Sequence, residues 1–139
     1  MAYVDSNLND SSLYFNTVVY SGDGGSTQNI TNTFQTDLSW IKHRSTTAAH
    51  TIQDSTRGFD VTKKLSSNTG EDENNTDGAT WENYGGVTAV SSTNFTVSLG
   101  SHTPYQTNAS GVSYVAWNWK ESATAGFDMV GYTGTGSAT

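Results

Sequence analysis

Cysteine is absent from this 139-residue chain, so no disulfide staples it and no thiolate is on hand to ligate a metal. Stability must come from a core, a partner or oligomerisation. Basic residues are scarce: six Lys and Arg stand against thirteen Asp and Glu, for a net charge of −7. The six do not cluster. Phosphate backbones and anionic lipids need such clusters, so neither nucleic acid nor membrane is the expected partner. No apolar run approaches the ~20 residues of a membrane-spanning helix. The first residues carry no basic region followed by an apolar one, so no leader peptide is expected there. Charged residues make up 14% and hydrophobic residues 33%, both low; the low charge argues against disorder.

Ser, Thr, Asn and Gly fill the remainder, as they do the turns and wet faces of β-proteins. Four Trp, seven Tyr and five Phe are enough to anchor a small β core. The densest apolar stretch is GVSYVAWNWKE, residues 111–121. In an extended strand Val115, Trp117 and Trp119 share one face, and Tyr114, Ala116, Asn118 and Lys120 the other. The bulky row is expected to face the core. Two buried indoles there would contribute up to roughly 10 kcal/mol.

Further strands are expected at 13–21, 28–31, 37–44, 50–53, 81–90 (interrupted at Gly85-Gly86), 94–100 and 127–133, with a strand or irregular piece at 59–66. Leu38, Trp40 and Lys42 form one row of the 37–44 strand, with Ile41 opposite; Phe95, Val97 and Leu99 form an inward row; Leu65 is the core residue of its segment. Residues 1–12 read as a polar N-terminal arm anchored only by Tyr3 and Val4, and 66–80 as a long exposed loop. A second loop, 102–111, holds the lone proline, Pro104. No segment has a helical period with caps. Short strands separated by Gly, Asn and Asp turns define an all-β chain: a two-sheet antiparallel β-sandwich of jelly-roll type, occupying residues 13–126.

One stretch occurs twice. Residues 15–24, FNTVVYSGDG, match 127–136, FDMVGYTGTG, in the frame Phe-Asn/Asp-x-Val-x-Tyr-Ser/Thr-Gly-x-Gly. The motif reads as the opening of each unit in a tandem array, so that 127–139 would hold the last strand and the start of a second repeat.

Five stretches carry a resemblance: FQTDLSWIKHRS (34–45), DSTRG (54–58), KKLSSNT (63–69), YVAWNWK (114–120) and FDMVGYTGTG (127–136). In this order the chain resembles, over roughly residues 13–136, a domain of unassigned function in bacteriophage virion proteins. That domain is found in tail-fibre-like and other appendage proteins, many of them marine, often in tandem. The resemblance implies a concanavalin-like lectin or glucanase-type sandwich and a place on the virion exterior. That family usually has cysteine where Asn118 stands, so a thiol role is excluded here.

Chemistry-bearing clusters are few. Glu71, Asp72, Glu73 and Asp77 are the densest acids, but no apolar wall stands beside them to raise a pKa, so a solvated loop is preferred to a glycosidase pair. Asp72, Asn74 and Asp77 do not complete a calcium loop. His43, His50 and His102 lack metal-ligand spacing, and His43, between Lys42 and Arg44, reads as a surface residue. Asn-x-Ser/Thr triplets at Asn9, Asn29, Asn74, Asn94 and Asn108 are expected by chance in so Asn-rich a chain. Arg57 is expected to tie the 54–58 turn by paired bonds to a carboxylate. Trp81 with Glu82, Asn83 and Tyr84 is the candidate carbohydrate site, an aromatic platform beside polar groups; Trp81 also suits core packing. Structural roles fall to Trp40, Arg57, Trp117 and Trp119.

The expected function is a non-catalytic virion building block: a fibre, appendage or capsid-decoration subunit with no cofactor. It would contact other virion proteins and copies of itself, as a trimer, and could adhere to a host glycan. A carbohydrate-binding module is the alternative, and a glycosidase a more distant one.

Overall fold

The computed structural model describes residues 10–67, 81–102 and 107–136, with the backbone alone at 81 and 82. The anchors Tyr3 and Val4, the acidic run 71–77 and Pro104 lie outside the described residues. Within them the chain is all-β. Its strands are β1 (Phe15–Ser21), β2 (Thr27–Thr31), β3 (Leu38–His43), β4 (Thr51–Asp54), β5 (Gly86–Val90), β6 (Asn94–Ser98) and β7 (Ser113–Trp119). Only two single 3-10 turns, Ser11–Leu13 and Trp81–Tyr84, interrupt the β pattern among the described residues. The first of these begins where the Asp10 carboxylate accepts from the Ser12 N–H.

Two antiparallel sheets result, ordered β1-β7-β3-β4 and β2-β6-β5. Their facing sides share one core: Tyr20, Ile41, Tyr114 and Ala116 from the first sheet, Ile30, Val87, Phe95 and Val97 from the second. The chain is therefore a two-sheet antiparallel β-sandwich. Phe95 and Val97 point inward as their alternation predicts.

Register sorts the first sheet's inner face into three levels. Tyr20, Tyr114 and His43 lie side by side; so do Val18, Ala116 and Ile41; so do Asn16, Asn118, Ser39 and Gln53. The Tyr20 and Tyr114 rings stack at 5.0 Å, and His43 meets Tyr114 edge-on at 4.7 Å. Tyr20 donates its hydroxyl hydrogen to the Thr107 carbonyl at 2.8 Å, and the Ala109 N–H donates to the Tyr114 hydroxyl at 2.9 Å. Gln53 reaches across to the second sheet, accepting from the Val87 N–H at 2.6 Å and donating to the Val87 carbonyl at 2.9 Å.

Four expectations are overturned here. The row Val115, Trp117 and Trp119 is not the core face of β7: its residues are half-exposed, and Tyr114, Ala116 and Asn118 are the buried ones. A sandwich core is only ~10 Å thick and is filled from both sheets. Neighbouring indoles at 117, 119 and 40 would overfill it, whereas Tyr114 and Ala116 pack in one cluster with Phe95 and Val97. Leu65 is exposed, in a lone bridge to Ile52, while Lys64 beside it is fully buried. His43 is buried, not a surface residue, with its ring against Tyr114. Residues 127–133 form no strand; only Phe127 bridges, to Ser122.

At the polar level Asn118 is fully buried, yet neither its Oδ1 nor its Nδ2 has a hydrogen-bond partner among the described residues, and the same holds for the Ser39 Oγ beside it. Buried polar atoms without partners are costly. Asn118→Val is expected to raise stability by about 1–2 kcal/mol, read as a shifted urea midpoint at unchanged slope.

Candidate functional site

The row that the core rejects forms the outer face of the four-stranded sheet. Thr17, Trp117, Trp40 and Ile52 are register partners across it; Phe15, Trp119 and Leu38 flank them on one side, Val19, Val115 and Lys42 on the other. Trp40 and Trp117 meet edge-on at 5.7 Å. Trp119 sits between Phe15 at 5.1 Å and Phe127 at 6.4 Å. The Trp40 Nε1–H donates to the His50 Nδ1 at 3.0 Å, which fixes the indole and assigns the His50 proton to its other nitrogen. Burial, then the charge of Lys42, lowers the His50 pKa below its usual value. Phe15 and Val19 are 40% and 58% exposed, so the face is apolar, aromatic and open to contact.

Beside the Trp119 end lies a hollow lined by Asp37, Glu121, Ser122, Phe127 and Asp128. β3 begins against the end of β7: the Asp37 N–H donates to the Trp119 carbonyl at 2.9 Å, and the Glu121 N–H to the Asp37 Oδ2 at 2.8 Å. A side-chain hydrogen bond with Asp128, partial desolvation, and the charges of Asp128 and Asp37 raise the Glu121 pKa from its ordinary value. Asp37 thus joins Glu121 and Asp128, which the Ser122–Phe127 bridge already holds near each other, from a distant part of the sequence. Only the fold brings them together, and no local motif marks them. Among the described residues no group of three acidic or His side chains is placed to hold a metal ion.

The expected sites distribute as follows. The Trp81 and Glu82 side chains lie outside the described residues. The Asn83 carbonyl accepts from the Ser101 and His102 N–H groups, each at 2.7 Å, and its side-chain oxygen from the Ser101 hydroxyl at 3.2 Å. Tyr84 is buried, edge-on to His102 at 5.1 Å, with the Lys64 ammonium 5.8 Å from its ring. Asn83 and Tyr84 therefore fasten a loop, and the Tyr84 ring is not a solvent-facing platform. Arg57 binds Asp54: its N–H and Nε–H donate at 2.9 and 2.8 Å, and its Nη2 also pairs with the Asp54 Oδ2. The pair closes the 54–58 turn, with Gly58 in the left-handed region at φ +95°. Trp40, Trp117 and Trp119 are structural only as part of the outer ladder. Asn108 is fully buried and bonded to Asp23 and Gly25, so its triplet is closed to glycosylation.

Fold and surface together define an all-β sandwich with an aromatic outer face. The model of a domain of unknown function (DUF7483) matches residues 10–139, and the chain belongs to that family. Neither curated proteins nor solved structures yield a match.

Proposed function

We propose that the chain is a non-catalytic structural subunit of a bacteriophage virion, on the particle's exterior, acting by protein–protein contact. The observation that carries this reading is the outer ladder Phe15–Trp119–Leu38, Thr17–Trp117–Trp40 and Val19–Val115, a largely apolar strip that is half-buried along β7 and β3 and exposed at Phe15 and Val19. The resemblance of the five stretches supplies the virion context and the finer jelly-roll, concanavalin-like form. An acidic, cysteine-free surface suits a building block that must not bind nucleic acid. The contact expected is with copies of itself, as a trimer, or with neighbouring virion proteins.

Light scattering tests it. The wild-type chain is expected to be an oligomer or to be retained on purified phage heads or tails. Val19→Glu, at a position 58% exposed, should abolish that association and leave the melting temperature unchanged. A monomeric wild type that ignores both heads and tails overturns the reading.

A second reading, host-glycan binding, is favoured by one juxtaposition: the Trp119 and Phe127 rings adjoin the hollow of Asp37, Glu121 and Asp128. Aromatic faces beside convergent polar groups are what sugars bind. A glycan array before and after Trp119→Ala, with Trp81→Ala in parallel, decides between the two aromatic positions.

A further inference from the structure

The twice-written motif behaves differently in its two places. In the first, residues 15–21 are β1, and its inward row is Asn16, Val18 and Tyr20, with Tyr20 only 9% exposed. In the second, the counterparts Val130 and Tyr132 are 78% and 91% exposed, the most exposed of the large hydrophobic residues described. The row that buries in one copy stands in solvent in the other.

Glycine makes the same point. A Cβ on Gly22 would overlap the Ala109 carbonyl oxygen, so β1 ends at a site only glycine fits. Its counterpart Gly134 has nothing within 4 Å of that position. Its surroundings here give no reason for a glycine, whereas the β1 slot would. Two residues on, Gly24 and Gly136 share the same left-handed backbone, at φ +76° and +71°. Phe15 and Phe127 even rest on the same indole, Trp119.

We propose that residues 127–133 are a spare first strand, which takes the place of β1 beside β7 of another copy of this sandwich. Residues 127–133 match this chain's own β1, so the slot they fit is a slot of this fold, and within one copy β1 already fills it. β1 lies at the sheet edge, held by β7 on one side only, so it can be replaced without breaking any other strand pair. The inward change, Asp128 for Asn16, would put a carboxylate opposite Asn118, whose Nδ2 lacks an acceptor. The outward changes, Met129 for Thr17 and Gly131 for Val19, fall on the face away from the core. Head-to-tail joining of sandwiches follows. The inference does not depend on the virion reading, because it concerns only how one sandwich recognises another.

A fluorescent peptide spanning residues 125–138, added to the full chain carrying Tyr20→Ala, tests it. The substitution weakens the resident strand. The peptide is expected to raise that variant's melting temperature by several degrees. Peptides with Tyr132→Ala or Gly134→Ala should leave it unmoved, the latter because the new methyl meets the Ala109 carbonyl. No shift with the parent peptide, or an equal shift with the Gly134→Ala peptide, overturns the proposal. Should Tyr20→Ala not fold, the wild-type chain is refolded from urea with excess peptide. Co-elution of the parent peptide and not the Gly134→Ala peptide supports the proposal; equal co-elution, or none, overturns it.

Discussion

Tyr114→Ala is expected to destabilise the sandwich by about 3–5 kcal/mol, and Trp117→Ala, three residues along the same strand, by only about 1–2 kcal/mol. The difference follows from the faces of β7. Tyr114 is fully buried between Tyr20 and His43, and its hydroxyl holds the Ala109 N–H. Truncation leaves a ring-sized cavity and an unpaired N–H. Trp117 keeps one side in water and loses mainly its edge contact with Trp40. In a domain of this size Tyr114→Ala should lower the melting temperature by roughly 10–15 °C. Tyr114→Phe, which keeps the ring and drops the hydroxyl, should cost about 1–2 kcal/mol. Urea titrations of the three variants are the measurement. A larger loss for Trp117→Ala would mean that the indole row, and not the tyrosine row, faces the second sheet.

That contrast also marks how far the sequence could be read. Strand positions follow from β-branched and aromatic runs ending at Gly, Asn or Asp, which is local chemistry. β1, β2, β3, β4, β6 and β7 fall where such runs predict them, and the alternation in β6 assigns Phe95 and Val97 to the core. Which face of β7 turns inward is not local. Both rows carry large side chains, and residue size favours the wrong one, since tryptophan is seldom fully buried. The deciding information lies on the neighbours. Lys42 shares the Trp40 row on β3, which is an outward signature, and β1 offers Tyr20 in register with Tyr114. Leu65, expected in the core, is exposed, and its neighbour Lys64 is buried instead. A lysine is assigned to solvent from its charge alone, but here its stem packs beside Gly86 and its ammonium meets the Gly85 carbonyl.

The candidate surface was less legible than the fold. Arg57 and Asp54 are three residues apart, and a turn explains their pairing. Asp37 reaches the hollow of Glu121 and Asp128 because β3 starts where β7 ends, and Asp128 reaches it through the Ser122–Phe127 bridge. Nothing in a one-dimensional scan ranks those three above the denser run at Glu71, Asp72 and Glu73. The aromatic ladder is visible in the sequence as residues, but their bulk points to the core and not to a surface.

The buried Lys64 leads to the second large effect, a stability that climbs through the alkaline range. Burial lowers its pKa to about 7, against the ordinary lysine value above 10. Below pH 7 both folded and unfolded chains hold the proton, and the full cost of burying the charge is present. Between about pH 7 and 10 the unfolded chain keeps a proton that the folded chain has released, so stability rises by roughly 1.4 kcal/mol per pH unit, on the order of 4 kcal/mol in all. The rise ends near pH 10, where tyrosines of the unfolded chain ionise. Burial holds the Tyr20 and Tyr114 hydroxyls above their usual pKa, so from there stability falls with pH. His50, lowered by burial and Lys42, adds its own slope only around and below the usual histidine value, which separates the two contributions. The optimum therefore lies near pH 9–10, above the usual range of about 5–8. Lys64→Met keeps the apolar stem and removes the titration, at about 1 kcal/mol for the lost bond to the Gly85 carbonyl. Urea midpoints should rise for the wild type between pH 7 and 9.5 and stay level for Lys64→Met, with the variant the more stable of the two at pH 6. A wild-type midpoint that is flat or falling over that interval would place the Lys64 ammonium in water, and with it the stretch of chain that carries Tyr84.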